Sequence, residues 1–317
     1  LTHLPLAQVS TDPMKGTVRD FVHFYAQGVL ANERGASALY DIDGLAAVVS
    51  RVLPGTHDVK YPPVYGPQVA LFFAPLARLP YNAALYVWMT ITVATFLACG
   101  WWVLSTCPRL RELRLAVGFM LLGAPALPLP LGFSQASVIG LACFAAAAVA
   151  LRANRLFLAG LAVGMLAYKP PLGIACAFVF LLAGEWCVVA GALVGASAQL
   201  AAGVAYWGPG ILGPYVSALR RLPQVTEAME PYKYQMHSWR PFFQLLGLHD
   251  PAALVAYSLA AAGTLVVALA AWRLRRPLAV RFAVLSLATM LVDPHLYVYD
   301  LVILMPGLLL AWDWAED

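Results

Sequence analysis

Three short segments bring acids, cations and aromatic hydroxyls together at spacings that can do chemistry. In Asp20-Phe21-Val22-His23-Phe24-Tyr25, Asp20 and His23 stand at i and i+3, which puts both on one helix face. A carboxylate held there can act as a general base toward an attacking hydroxyl, or it can simply sit near a helix start and complement the dipole. Phe21, Phe24 and Tyr25 are expected to anchor that helix at a membrane surface. Glu33, Asp41, Asp43 and Asp58 compete for the role of base. Asp41 and Asp43 resemble loop or capping residues and Asp58 lies in a Pro/Gly-rich loop, so spacing alone does not choose among the five.

Lys169 ends a short apolar span and is followed by Pro170-Pro171, which stop the helix and free backbone carbonyls. An ammonium there needs an anion, and a phosphate is the natural partner, although a lysine snorkelling to the headgroups has the same position. Arg220, Arg221, Lys233, His237 and Arg240 add cations in the stretch from Gly208 to Asp250, interleaved with Tyr232, Tyr234 and Trp239. That pattern suits a lipid-linked phosphate, a sugar or a headgroup-facing surface. The third segment, Asp293-Pro294-His295-Leu296-Tyr297-Val298-Tyr299-Asp300, packs two acids and a histidine into a turn between apolar spans, and a hydrogen-bonded network closing over a site is expected of it. Its spacing is not a recognised metal-ligand pattern. Gln135, in Gly132-Phe133-Ser134-Gln135, is expected to join this third network or to cap the helix that follows.

The elements that must position these residues are membrane spans. The chain is 62% hydrophobic and 11% charged with a mean hydropathy of +0.75, which would coat a soluble protein in apolar surface. The net charge of +4 sits in short arginine clusters between apolar segments, where orientation in a bilayer explains it, so nucleic acid is not an expected partner. Five cysteines without paired spacing read as small buried residues. Richness in Arg, Ala, Gly and Pro suggests a GC-rich bacterial genome. Nine spans are expected, over 81–104, 115–131, 134–151, 156–168, 172–182, 188–207, 252–272, 279–292 and 299–312, with 64–79 as an interfacial helix or a tenth. Basic clusters at Arg109/Arg111/Arg114, Arg152/Arg155 and Arg273/Arg275/Arg276 each follow an odd-numbered span, which places them in the cytoplasm and the three polar segments outside. An external N-terminal region then needs an upstream helix, so the chain is expected to start just after a first one. By segments, 1–80 is an external region with interfacial helices, 81–207 a transmembrane bundle, 208–251 a long external loop and 252–317 the C-terminal spans.

In this order and at these separations, Asp20-Phe-x-x-Phe-Tyr25, Leu39-Tyr40-Asp41, Tyr61-Pro62-Pro63, Gly160 to Pro171 with Tyr-Lys-Pro, and Pro294-His295-x-Tyr297-x-Tyr299-Asp300 resemble glycosyltransferase family 87. Lys169-Pro170-Pro171 departs from the commoner Lys-Pro-Gln. The resemblance implies an all-α polytopic bundle of the GT-C superfamily and an inverting mannosyltransferase in a bacterial inner membrane. It implies a polyprenyl-phosphate sugar as donor, a lipid or glycan hydroxyl as acceptor, and membrane lipids as surroundings. Asp20 would be the general base. Lys169, Arg240, His295 and His237 would hold the donor phosphate, with His23, Tyr25, Tyr61, Gln135, Tyr299 and Asp300 in support. No metal and no other cofactor is expected. A lipid-linked-sugar transporter and a non-catalytic scaffold are the alternatives, although mid-span charges and repeated halves are not visible.

Overall fold

In the computed structural model, residues 20–54, 60–123, 127–230 and 232–316 are described, with the side chains of 223 and 225–229 excepted. Asp58 lies outside the described residues. Sixteen α-helices are described: α1 (Phe21–Glu33), α2 (Ala36–Leu39), α3 (Ile42–Val52), α4 (Pro67–Phe73), α5 (Tyr81–Leu104), α6 (Arg114–Gly123), α7 (Pro128–Phe133) and α8 (Ser137–Arg152), then α9 (Leu156–Gly164), α10 (Ile174–Ala183), α11 (Trp186–Trp207), α12 (Leu212–Met229), α13 (Trp239–Leu245), α14 (Ala252–Arg273), α15 (Leu278–Val292) and α16 (Met305–Ala315). Short 3-10 turns join several of them, and the only strand-like pairing among the described residues is one antiparallel bridge, Met236 to Tyr297. The fold is an all-α polytopic bundle.

Five segments are long and apolar enough to cross a membrane: Tyr81–Leu104, Arg114–Phe133, Trp186–Trp207, Ala252–Arg273 and Val298–Ala315. At about 1.5 Å rise per residue each covers the hydrocarbon thickness or nearly so. The other expected spans coincide with shorter apolar helices, Ser137–Arg152, Leu156–Tyr168, Pro170–Ala183 and Leu278–Val292. Pro170 and Pro171 explain one break, because neither can donate an intrahelical hydrogen bond. Helix α4 has 7 residues, too few to cross, so 64–79 supplies no tenth span.

Two compact units emerge from the contacts within the chain, one made of Leu1–Ile91, Gly132–Gln135 and Ala198–Pro231, the other of Thr92–Leu131, Ala136–Ser197 and Tyr232–Asp317. The first unit is organised around α1. Phe21 and Phe24 are 0% and 1% exposed, and they pack with Phe73 and Trp88; the Phe24 and Phe73 rings stack at 4.8 Å between centroids. Tyr25 is also buried and donates to the Leu79 carbonyl at 2.7 Å. The expectation that these three rings anchor α1 at a membrane surface is therefore corrected. The helix is apolar on nearly every face, and such a helix is buried in protein.

In the second unit, α8 packs on α9, on α16 and on the 3-10 turn Val298–Leu304, while α15 packs on α14 and α16. Helices α9 and α11 meet backbone to backbone: a Cβ added at Gly160 would lie 2.1 Å from the Val188 carbonyl, and one at Gly191 would lie 2.2 Å from that of Phe157. Only glycine permits that approach. Buried Asp313 at the end of α16 accepts the backbone N–H groups of Arg109 and Leu110 at 2.9 and 3.2 Å and a guanidinium N–H of Arg152 at 3.5 Å. Arg273 donates to the Leu182 carbonyl at 2.8 Å. Segments that follow alternate spans thus meet, 109–110 and Arg152 at Asp313 and Arg273 at Leu182. Four cysteines are buried as expected, but Cys187 is exposed.

Candidate functional site

Asp20 immediately precedes α1, in helical backbone geometry and without capping the helix through its side chain. Its backbone N–H donates to the Phe133 carbonyl at 3.2 Å, and its Oδ2 accepts the Gln135 side-chain amide at 2.6 Å. The loop that delivers Gln135 is tightly set. Ser134, 1% exposed, sits at φ 53°, in the left-handed region that a non-glycine residue enters only under constraint from its surroundings. The loop therefore serves Asp20. Gln135 does not cap the following helix, which begins after Ala136 with no side-chain cap.

The described residues near Asp20 include a histidine and a tyrosine that are both held neutral. His23 is 5% exposed, its ring 5.1 Å from Tyr61 and 5.7 Å from Tyr65, and the Gln27 amide donates to its Nε2 at 2.7 Å. That bond puts the ring proton on Nδ1, which is buried with no partner among the described residues. Burial lowers the His23 pKa to about 3, so the imidazole stays uncharged across the physiological range. Burial, and then the neighbouring Asp20 charge, push the Tyr61 phenol far above its ordinary value, keeping it a neutral donor. The competing acids are otherwise engaged. Glu33 pairs with Arg51 at 2.8 Å in the open, Asp41 caps α3 through the Gly44 N–H at 3.0 Å, and Asp43 pairs with Lys60 at 2.5 Å.

Lys169, at the break between the 3-10 turns Met165–Tyr168 and Pro170–Gly173, meets a carboxylate. Its Nζ lies 2.5 Å from Asp300 Oδ2, and its side chain is 13% exposed against 0% for Asp300. The other oxygen of Asp300 accepts Ser137 Oγ at 2.7 Å, and Lys169 also stands 5.3 Å over the Tyr299 ring. Tyr299 stacks on Tyr297 at 5.4 Å, and Tyr297 meets His295 edge-on at 5.3 Å. Asp293 Oδ1 accepts the His295 backbone N–H at 2.9 Å, while its Oδ2 is buried with no partner among the described residues. Burial raises the Asp293 pKa to about 6 against the pull of Lys169. The His237 backbone N–H donates to the Leu296 carbonyl at 3.0 Å, which ties its segment to this turn, but its side chain is exposed. Arg240, in the first turn of α13, is close enough for its charge to act on Tyr257, whose hydroxyl donates to the Val292 carbonyl at 2.8 Å. The neighbouring Trp239 indole donates to Thr264 at 2.9 Å, so α13 packs against the middle of the α14 span.

Lys169, Asp300, Tyr299 and His295 are thus brought into one cluster, and Asp20, His23, Tyr61 and Gln135 into another, with Tyr25 serving as a core residue. Ser137 was not anticipated. A lone serine at the start of an apolar helix carries no signal, and only its distance to Asp300 reveals it. Among the described residues no three His, Cys, Asp or Glu side chains are grouped closely enough to hold a metal ion.

Compared with known protein families, the sequence matches the model of glycosyltransferase family 87 over residues 64–294, well over half of the chain. The chain belongs to glycosyltransferase family 87. It is therefore a membrane glycosyltransferase, acting between a sugar donor and an acceptor. The matched part of this family 87 chain contains Gln135, Ser137, Lys169, His237, Arg240 and Asp293, whereas Asp20, His23 and Tyr61 lie before it and His295, Tyr299 and Asp300 just after. No curated protein and no solved structure matches the chain.

Proposed function

We propose that this family 87 chain transfers mannose, with inversion, from a polyprenyl-phosphate donor to a hydroxyl of a lipid or glycan acceptor at the external face of a bacterial inner membrane. The observation that carries the reading is the setting of Asp20. Its carboxylate accepts a neutral amide at 2.6 Å beside a phenol kept protonated and an imidazole kept uncharged. Neutral donors orient a carboxylate without neutralising it, which is what a general base for the acceptor hydroxyl needs. The other four N-terminal acids weighed for the role are a cap, two members of exposed ion pairs and a residue outside the described segments.

The departing polyprenyl phosphate gains charge as the glycosidic bond breaks, and cations placed for that moment lower the barrier. Lys169, with its ammonium oriented by Asp300, supports that role, and His295 supplies an adjacent ring. Arg240 and His237 take the supporting part through the segment tied to the Leu296 backbone. The basic clusters after alternate spans support an external location for the reaction.

The test is transfer by the purified chain in nanodiscs, with radiolabelled polyprenyl-phosphate mannose compared against a nucleotide sugar. Transfer from the lipid-linked donor alone is expected, and use of the nucleotide sugar alone would sink the reading. In a background cleared of native cysteines, a cysteine at Ser134 or Pro209 should react in intact cells with an impermeant thiol reagent, and one at Arg111 or Arg275 should not. The reverse pattern would move the reaction to the cytoplasm.

A further inference from the structure

Away from both clusters, the turn between α14 and α15 gathers Arg273, Arg275, Arg276 and Arg281. Arg273 is used, since its guanidinium closes the C-terminal end of α10 on the Leu182 carbonyl. Arg281 is not. It lies with its guanidinium carbon 4.6 Å from the centroid of the Trp272 ring, and it makes no ion pair or hydrogen bond among the described residues. The indole is fixed beneath it. Trp272 is 3% exposed and packs edge-on against Phe180 at 4.8 Å. Arg281 Nε and Trp272 Nε1 are both buried donors without an acceptor. The charges that act on Arg281 are Glu185, which is favourable but forms no ion pair with it, and Arg275, which is repulsive.

A guanidinium held over an indole is partly stripped of water, and it is costly to leave without an anion. Two orphaned N–H donors add to that cost. The turn follows a 22-residue span, so it stands where phospholipid headgroups lie, and basic pockets between span ends are suited to phosphate. Arginine is the residue whose planar fork matches two phosphate oxygens. We infer that Arg281, with Trp272 beneath it and Arg275 beside it, binds the phosphate of an anionic phospholipid headgroup. The inference is independent of the transferase chemistry, because no residue of either cluster takes part in it.

The experiment uses the purified full chain in detergent with added phosphatidylglycerol, phosphatidylcholine or inorganic phosphate, read by native mass spectrometry and by thermal melting. Wild type is expected to retain phosphatidylglycerol at least about fivefold over phosphatidylcholine and to melt higher with it. Arg281→Gln should bring that preference to within about twofold, and Arg281→Lys should fall between, since an ammonium keeps the charge and loses the fork. Arg111→Gln, a basic residue of another loop, should keep the preference. If Arg281→Gln does not fold, Trp272→Phe, which keeps an aromatic ring and removes the N–H, should weaken retention of phosphatidylglycerol without affecting phosphatidylcholine. Equal retention of the two lipids by wild type, or a preference that survives both Arg281→Gln and Trp272→Phe, would overturn the inference and leave Arg281 a snorkelling side chain. Inorganic phosphate that stabilises as much as phosphatidylglycerol would overturn the assignment to a lipid.

Discussion

The two clusters hold a carboxylate in opposite ways, one half-buried and one fully buried. Asp20 accepts a neutral amide from Gln135, in surroundings that hold the Tyr61 phenol protonated and the His23 imidazole uncharged. Asp300 is served by charge, with the Lys169 ammonium on one oxygen and the Ser137 hydroxyl on the other. A carboxylate opposite an ammonium has little drive left to take a proton, whereas one oriented by neutral donors keeps that drive. The difference teaches which acid suits general-base work and which suits holding a cation in place. The sharpest way to break the comparison is Asp20→Asn, which keeps the shape and removes the basicity. Turnover at saturating donor should fall by about 10² to 10⁴ fold while the protein inserts and melts as wild type. Retention of more than a tenth of wild-type turnover would return the role to the other N-terminal acids.

The same logic reversed applies to Asp300. Removing one partner of a buried pair leaves the other charge without compensation, at a cost of about 3 to 5 kcal/mol. Asp300→Ala should therefore lower stability far more than Asp20→Asn does, as read by thermal melting in nanodiscs. The double change Lys169→Met with Asp300→Ala should recover part of the loss, and a double variant whose loss equals the sum of the singles would show that the pair does not act as a unit.

Much of the scaffold was legible because long apolar runs have one reading: 81–104 and 252–272 could only be spans, and both are single helices. Lys169 and the 293–300 turn were legible as costly polar groups in apolar surroundings. Their pairing was not. Lys169 and Asp300 are 131 residues apart, and nothing local marks a carboxylate as the anion that an ammonium requires. Phe21 and Phe24 were read as surface anchors because an aromatic run beside a span looks alike whether it faces headgroups or the interior of the protein. Periodicity reports which faces of a helix are apolar, and it does not report what covers them.

A smaller perturbation sharpens the role of the neutral donors. Gln135→Ala removes a charge-assisted hydrogen bond of the kind worth about 1.5 to 3 kcal/mol, so transfer should fall by roughly ten- to hundredfold with donor KM little changed. Ser137→Ala removes the corresponding bond to Asp300 and should act mainly on stability. A variant pair with these readouts exchanged would mean that Asp300, and not Asp20, is the carboxylate whose orientation matters to the chemistry.

The smallest effect expected is one of pH, and it runs in opposite directions in the two clusters. His23 has its folded pKa lowered from 6.5 to about 3, so between those values the unfolded state binds more protons and acidification destabilises α1. From pH 7 to pH 5 that costs about 2 kcal/mol at roughly 1.4 kcal/mol per unit. Asp293 has its folded pKa raised from 3.8 to about 6, so between those values the folded state binds more protons and acidification relieves the penalty of an ionised buried carboxylate. Over the same interval that gain is about 1 kcal/mol. Hydrogen exchange, corrected for the intrinsic effect of pH, should then show protection in Phe21–Glu33 falling from pH 7 to pH 5 while protection around 293–300 holds or rises. In His23→Gln the first trend should vanish and in Asp293→Asn the second, because neither replacement titrates in this range. Parallel trends in the two segments would mean that their stability is governed by a titration common to both, and the contrast between a neutral setting and a charged one would no longer describe how this chain holds its acids.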